Sequence, residues 1–273
     1  MLQELPTLTP GQYSLVFNMF SFTVATMTAS FVFFVMARNN LAPKYRISMM
    51  VSALVVFIAG YHYFRITSSW EAAYALQNGM YQPTGELFND AYRYVDWLLT
   101  VPLLTVELVL VMGLPKNERG PLAAKLGFLA ALMIVLGYPG EVSENAALFG
   151  TRGLWGFLST IPFVWILYIL FTQLGDTIQR QSSRVSTLLG NARLLLLATW
   201  GFYPIAYMIP MAFPEAFPSN TPGTIVALQV GYTIADVLAK AGYGVLIYNI
   251  AKAKSEEEGF NVGEMVEPAT ASA

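Results

Sequence analysis

The sequence predicts an all-α membrane protein, a bundle of seven transmembrane helices, and three observations carry that prediction. Mean hydropathy is +0.52 and 55% of residues are hydrophobic, while only 12% are charged, about half of the roughly 25% usual in soluble domains. Apolar runs of about 20 to 30 residues recur along the 273-residue chain between short polar joints, each long enough to cross a bilayer. Unpaired backbone groups cannot face lipid, so these runs must be helices. Little chain remains for a soluble domain. The expected organisation is an N-terminal extracellular segment at 1–10, a membrane domain at 11–252 and a flexible acidic tail at 253–273.

In order, the opening MLQELPTLTP has no basic stretch before the first apolar run, so the first helix is expected to insert by itself. That helix spans 11–37 and meets Arg38; the second spans 47–64, after the joint RNNLAPKYR. The longer polar stretch ITSSWEAAYALQNGMYQPTGELF alternates polar and aromatic residues, with Gly and Pro at turns, and predicts a small hairpin. The third helix spans 89–114, the fourth 122–138, the fifth 151–174, the sixth 185–213 and the seventh 223–251. Beyond Ala251 the chain is polar and acidic, with too little apolar surface to fold.

Basic residues orient the bundle. Arg38, Lys44, Arg46, Lys116, Arg119, Lys125, Arg180, Arg184, Arg193, Lys252 and Lys254 fall on one side of the seven-span arrangement, and only Arg65, Arg93 and Arg152 on the other. Eleven against three places the C-terminus in the cytoplasm and the N-terminus outside. The chain contains no Cys and a single His, which leaves no disulfide or thiolate chemistry and argues against a zinc site. No nucleic-acid partner is expected. The expected partner is the lipid bilayer; a homo-oligomer is left open.

Charges buried in apolar runs mark the functional candidates. The stretch RYVDWLLTVPLLTVEL of the third helix carries Arg93, Asp96 and Glu107. Asp96 and Glu107 are eleven residues apart, which puts them about 20° apart around the helix and ~16.5 Å apart along it. They share one face at two depths. Thr100 lies one turn after Asp96, where its hydroxyl can reach the carboxylate, and Arg93 one turn before it. Each such charge costs at least ~2.5–3.5 kcal/mol to insert, so partners must lie inside the bundle. On the seventh helix, Asp236 and Lys240 share a face at i and i+4. A buried lysine needs a compensating carboxylate or a chemical use for its amine, such as a Schiff base. The residues alone leave two readings open: a structural ion pair, or a reactive amine.

Three motifs resemble those of microbial rhodopsins: Arg93-Tyr94-x-Asp96-Trp97-x-x-Thr100-x-Pro102 on the third helix, Trp200-x-x-Tyr203-Pro204-x-x-Tyr207 on the sixth, and Asp236-x-x-x-Lys240 on the seventh. They occur in the family's order, and the resemblance covers all seven spans. It implies all-trans retinal bound to Lys240 as a protonated Schiff base, with Asp96 as proton acceptor and Asp236 as second counter-ion. It also implies walls formed by Trp97, Pro102, Trp200, Tyr203, Pro204 and Tyr207. Without the family, that aromatic stripe reads as ordinary core packing.

The resemblance extends to function. Asp96, Thr100 and Glu107 match the pattern of the family's outward proton pumps, with Glu107 as the donor that returns a proton from the cytoplasmic side; a snorkelling glutamate is the alternative. His62, near the depth of Asp96, is paired with the acceptor in similar pumps, and otherwise reads as a hydrogen-bonded bystander. Gly156 stands where many rhodopsins have tryptophan. Similarity to antenna-bearing members implies a keto-carotenoid of the salinixanthin type at that slot, while close helix packing is the competing explanation. The seventh helix has no glutamate on its outer half, which argues against a paired-carboxylate release group. Glu141, Glu144 and Glu215 read as solvated loop carboxylates. The expected protein is a light-driven outward proton pump of a bacterial inner membrane, not an enzyme; a retinal photosensory receptor is the alternative.

Overall fold

A computed structural model describes residues 5–143, 147–218 and 220–260. Among these residues seven helices are long and apolar enough to span a membrane: Pro10–Asn40, Pro43–Ala73, Tyr92–Val111, Lys116–Glu141, Thr151–Gln179, Ser183–Ile209 and Pro222–Glu257. Each packs against its neighbour in sequence, and the first also packs against the seventh, closing the bundle around a common interior.

Local chemistry sets the helix starts. Thr9 Oγ1 accepts from the Gln12 N–H at 3.2 Å while Gln12 Oε1 accepts from the Thr9 N–H at 2.9 Å, a capping box followed by Pro10 in the first turn. Ser182 and Thr221 cap the sixth and seventh spans through their hydroxyls. The fourth span, expected over 122–138, runs from Lys116 to Glu141, because polar first and last turns continue a helix past its apolar stretch.

The expected hairpin is present. Tyr74–Gln77 pairs antiparallel with Met80–Pro83, and the turn residues Asn78 and Gly79 have φ of 51° and 79°, the left-handed values a tight hairpin turn requires. Tyr81 exchanges two backbone hydrogen bonds with Leu8, both 2.9 Å, and stacks on Tyr13 with centroids 3.7 Å apart. The hairpin thus closes one end of the bundle over Tyr13, Phe20, Tyr63 and Trp70.

At the other end the seventh helix runs further than expected. The seventh span continues as helix through Glu257, with Ala253, Lys254 and Ser255 buried, and Phe260 packs against the core. Contacts that no hydropathy pattern reveals hold this segment: Ser255 Oγ accepts from the Ala42 N–H at 3.0 Å, Tyr45 donates to Glu258 at 2.7 Å, and Lys44 pairs with Glu258 at 2.7 Å. Burial pushes the Glu258 carboxyl up, but the bonds from Lys44 and Tyr45 outweigh it and hold the group below its ordinary value. The rest of the expected tail, 261–273, and Glu144 lie outside the described residues.

Candidate functional site

The third span turns Arg93, Asp96, Trp97, Thr100 and Glu107 inward, all buried. Facing them, the seventh span widens into a π-helical turn over Leu238–Gly242, which contains Lys240; such turns recur at functional sites. Lys240 Nζ donates to Asp96 Oδ2 and to Asp236 Oδ1, each at 2.7 Å. The lysine and both carboxylates are at most 2% exposed.

The two carboxylates are held differently. Asp236 Oδ1 also accepts from Tyr203 at 2.6 Å and from Trp97 Nε1 at 3.1 Å, while its Oδ2 accepts from Tyr63 at 2.8 Å. With Lys240, four donors converge on this anion. Asp96 receives only the lysine: its Oδ1 has no hydrogen-bond partner among the described residues. His62 Nδ1 lies 3.9 Å from that free oxygen and 2.9 Å from the Ile58 carbonyl, to which it is bonded. The His–Asp pair is therefore close but not hydrogen-bonded.

From Lys240 a largely apolar cavity runs between the third, fifth and sixth spans, lined by Trp97, Trp200, Tyr203, Pro204, Tyr207 and Gly156. It encloses about 860 Å³ of atom-free space, its open side included. A primary amine at the polar end of such a cavity fits a long, flat, apolar aldehyde, and the two carboxylates would balance the cation formed on attachment. The residues therefore fit retinal. At the far end, a Cβ placed on Gly156 would lie 2.8 Å from Tyr207 Cε1, so the glycine lets the Tyr207 ring lie against the fifth span.

A family model for bacteriorhodopsin-like proteins matches residues 15–254. The chain belongs to the bacteriorhodopsin-like family. It is 97% identical to the chain in a crystal structure of xanthorhodopsin, described as a light-driven ion pump with dual chromophore, with a TM-score of 0.91 over 94% of this chain and 100% of that one. A crystal structure of thermophilic rhodopsin gives 53% identity and a TM-score of 0.88, again over 94% and 100%. Green-light absorbing proteorhodopsin from Gamma-proteobacterium EBAC31A08 is 29% identical over 239 residues, 86% of each chain.

Within this rhodopsin three expected contacts are replaced by others. Thr100 donates to the backbone carbonyl of Asp96 at 2.8 Å, not to its carboxylate, the usual bond of a helical threonine to the preceding turn. Arg93 pairs with Asp90, and its guanidinium lies near the faces of Phe20, Tyr63 and Tyr232 at 5.4–5.7 Å; Gln229 Nε2 donates to the same Asp90 at 3.1 Å. Pro102 is not part of the cavity wall. It faces the fourth span, where its Cβ lies 3.9 Å from a Cβ placed on Gly127.

Glu107 is 0% exposed. Its Oε2 accepts from Ser52 at 2.6 Å, and its Oε1 has no partner among the described residues. Sequence reasoning missed Ser52, Tyr63, Tyr232 and Asp90. Ser48 and Ser52 repeat at i and i+4 within an apolar run, which was a usable signal for a polar face. Nothing in GYHYFRI distinguished Tyr63 as a ligand of the seventh span.

Proposed function

We propose that this rhodopsin is a light-driven outward proton pump of a bacterial inner membrane, carrying all-trans retinal on Lys240 and a keto-carotenoid antenna at Gly156. It is a transporter rather than an enzyme. The observation that carries the reading is the asymmetry around Lys240: a fully bonded Asp236 and an Asp96 with a free oxygen, with Glu107 buried against Ser52 farther along the same helix as Asp96.

When bound, retinal supplies visible absorption and a light-driven isomerisation that re-aims the Lys240 nitrogen. Asp96 takes the proton from that nitrogen, and its unbonded Oδ1 is available to hold it. Asp236, fixed by Tyr63, Trp97 and Tyr203, remains the charge that keeps the lysine site polarised. Glu107 then returns a proton to the Lys240 nitrogen from the opposite side. The excess of basic residues at the Glu107 end supports a cytoplasmic position for it, so acceptor outside and donor inside give outward transport. Illuminating cells in weakly buffered medium tests this: the medium should acidify, and a protonophore should abolish the change. Light-driven alkalinisation, or no change, would overturn the reading.

Two variants test its parts. Glu107→Gln should slow reprotonation of the lysine nitrogen by roughly a hundredfold, the scale of a lost general acid, with azide partly restoring the rate in flash spectroscopy. Parent kinetics would move the donor elsewhere. Gly156→Trp should remove the carotenoid bands from the pumping action spectrum while leaving the retinal band, because an indole fills the slot once the Tyr207 ring, 2.8 Å from a Cβ there, moves aside. Carotenoid-driven pumping by this variant would leave Gly156 with only its packing role against Tyr207.

A further inference from the structure

We propose that Lys254 is the gate on proton uptake, its ammonium standing between Glu107 and the tail end of the bundle. The proposal rests on the reading of Glu107 as proton donor. Lys254 is 7% exposed. Its Nζ donates to the Met112 carbonyl at 3.1 Å and to Gln181 Oε1 at 2.9 Å, and it lies 6.0 Å from the centre of the Tyr45 ring. One side chain thus ties together the ends of the third and seventh spans, the joint after the fifth and the start of the second.

Met112 is five residues beyond Glu107, about 7.5 Å along the third helix. Its carbonyl belongs to the last turn, which has no partner inside the helix. Gly113 permits the arrangement twice over: its φ is +76°, and a Cβ there would lie 2.7 Å from Lys254 Nζ. From Tyr45, buried hydroxyls lead toward the donor. Ser48 Oγ bonds the Tyr45 carbonyl at 2.7 Å and Ser52 Oγ bonds Glu107 at 2.6 Å.

Among the described residues the ammonium's direct bonds are to neutral oxygens, and its acidic neighbours are engaged elsewhere, Glu258 by Lys44 and Tyr45 and Glu257 by Ser182. A buried cation without a bonded anion repels an incoming proton and favours the ionised form of a carboxyl nearby. It therefore slows refilling of Glu107 and withholds the proton until the side chain swings away. The net step takes one proton from the medium to a Glu107 carboxylate oxygen, and Lys254 neither gains nor loses one.

The test uses the full retinal-loaded protein in lipid vesicles, with flash-induced proton uptake followed by a pH-sensitive dye and the Glu107 carboxylic acid band followed in the infrared. Lys254→Met keeps the stem and removes the charge; it should speed uptake and recovery of the Glu107 band about tenfold, from the loss of one unit charge at roughly 10 Å. Gly113→Ala, which displaces the ammonium without removing its charge, should also speed uptake, but by less. Lys254→Arg keeps the charge and should retain the parent rate. Unchanged uptake in Lys254→Met alongside a slowed Glu107→Gln would overturn the gate and leave the donor standing. Equal changes in the Met and Arg variants would reduce Lys254 to a helix cap. Parent turnover in Glu107→Gln would overturn the donor reading and the gate with it.

Discussion

Lys240→Ala should give a colourless protein that neither binds retinal covalently nor moves protons in light. Lys240 is the one lysine whose nitrogen lies at the end of the cavity between Asp96 and Asp236, 2.7 Å from each. The variant also leaves two buried carboxylates without their cation, and breaking a buried pair in this way costs about 3–5 kcal/mol. The bundle should therefore unfold at lower temperature, while Tyr63, Trp97 and Tyr203 continue to bond Asp236. Absorbance after retinal addition, borohydride trapping and a thermal melt by circular dichroism separate the effects. A variant that folds, stays colourless and transports nothing is the expected result; a covalent chromophore in it would move the attachment to another residue.

Asp96→Asn should still bind retinal and absorb visible light but lose transport. The amide occupies the same space but cannot take a proton, and Asp236 still faces Lys240 to balance its charge. Removing one negative charge beside the nitrogen lets positive charge spread along a bound polyene, so the visible band should move to longer wavelength. Light-driven acidification should fall to the background seen with protonophore. His62 Nδ1 sits 3.9 Å from the free Asp96 oxygen but donates to the Ile58 carbonyl, so the ring nitrogen that faces Asp96 has no free lone pair to replace it. Normal pumping by Asp96→Asn would show that the proton leaves by another route and that the free oxygen of Asp96 has no part in transport.

By itself the sequence determined the seven spans, because their length and apolarity follow directly from the thickness of the bilayer and the need to pair the backbone. It also placed Asp96 and Glu107 on one helical face and Asp236 one turn from Lys240, since helical period converts spacing into direction. The resemblance of three motifs supplied the chemistry. What one helix's period cannot supply is the rotation of that helix against its neighbours. Only the packed bundle made Asp236 the carboxylate with four donors and left Asp96 with an open oxygen, because Tyr63, Trp97 and Tyr203 come from three different spans. Packing likewise turned Pro102 toward the fourth span, sent Arg93 to Asp90 and joined Ser52 to Glu107. It also extended the seventh helix through Glu257, where the hydropathy of the chain ends but contacts to Ala42, Met112 and Gln181 do not. Those contacts join residues 73 to 213 positions apart, and a local pattern carries no information at that range.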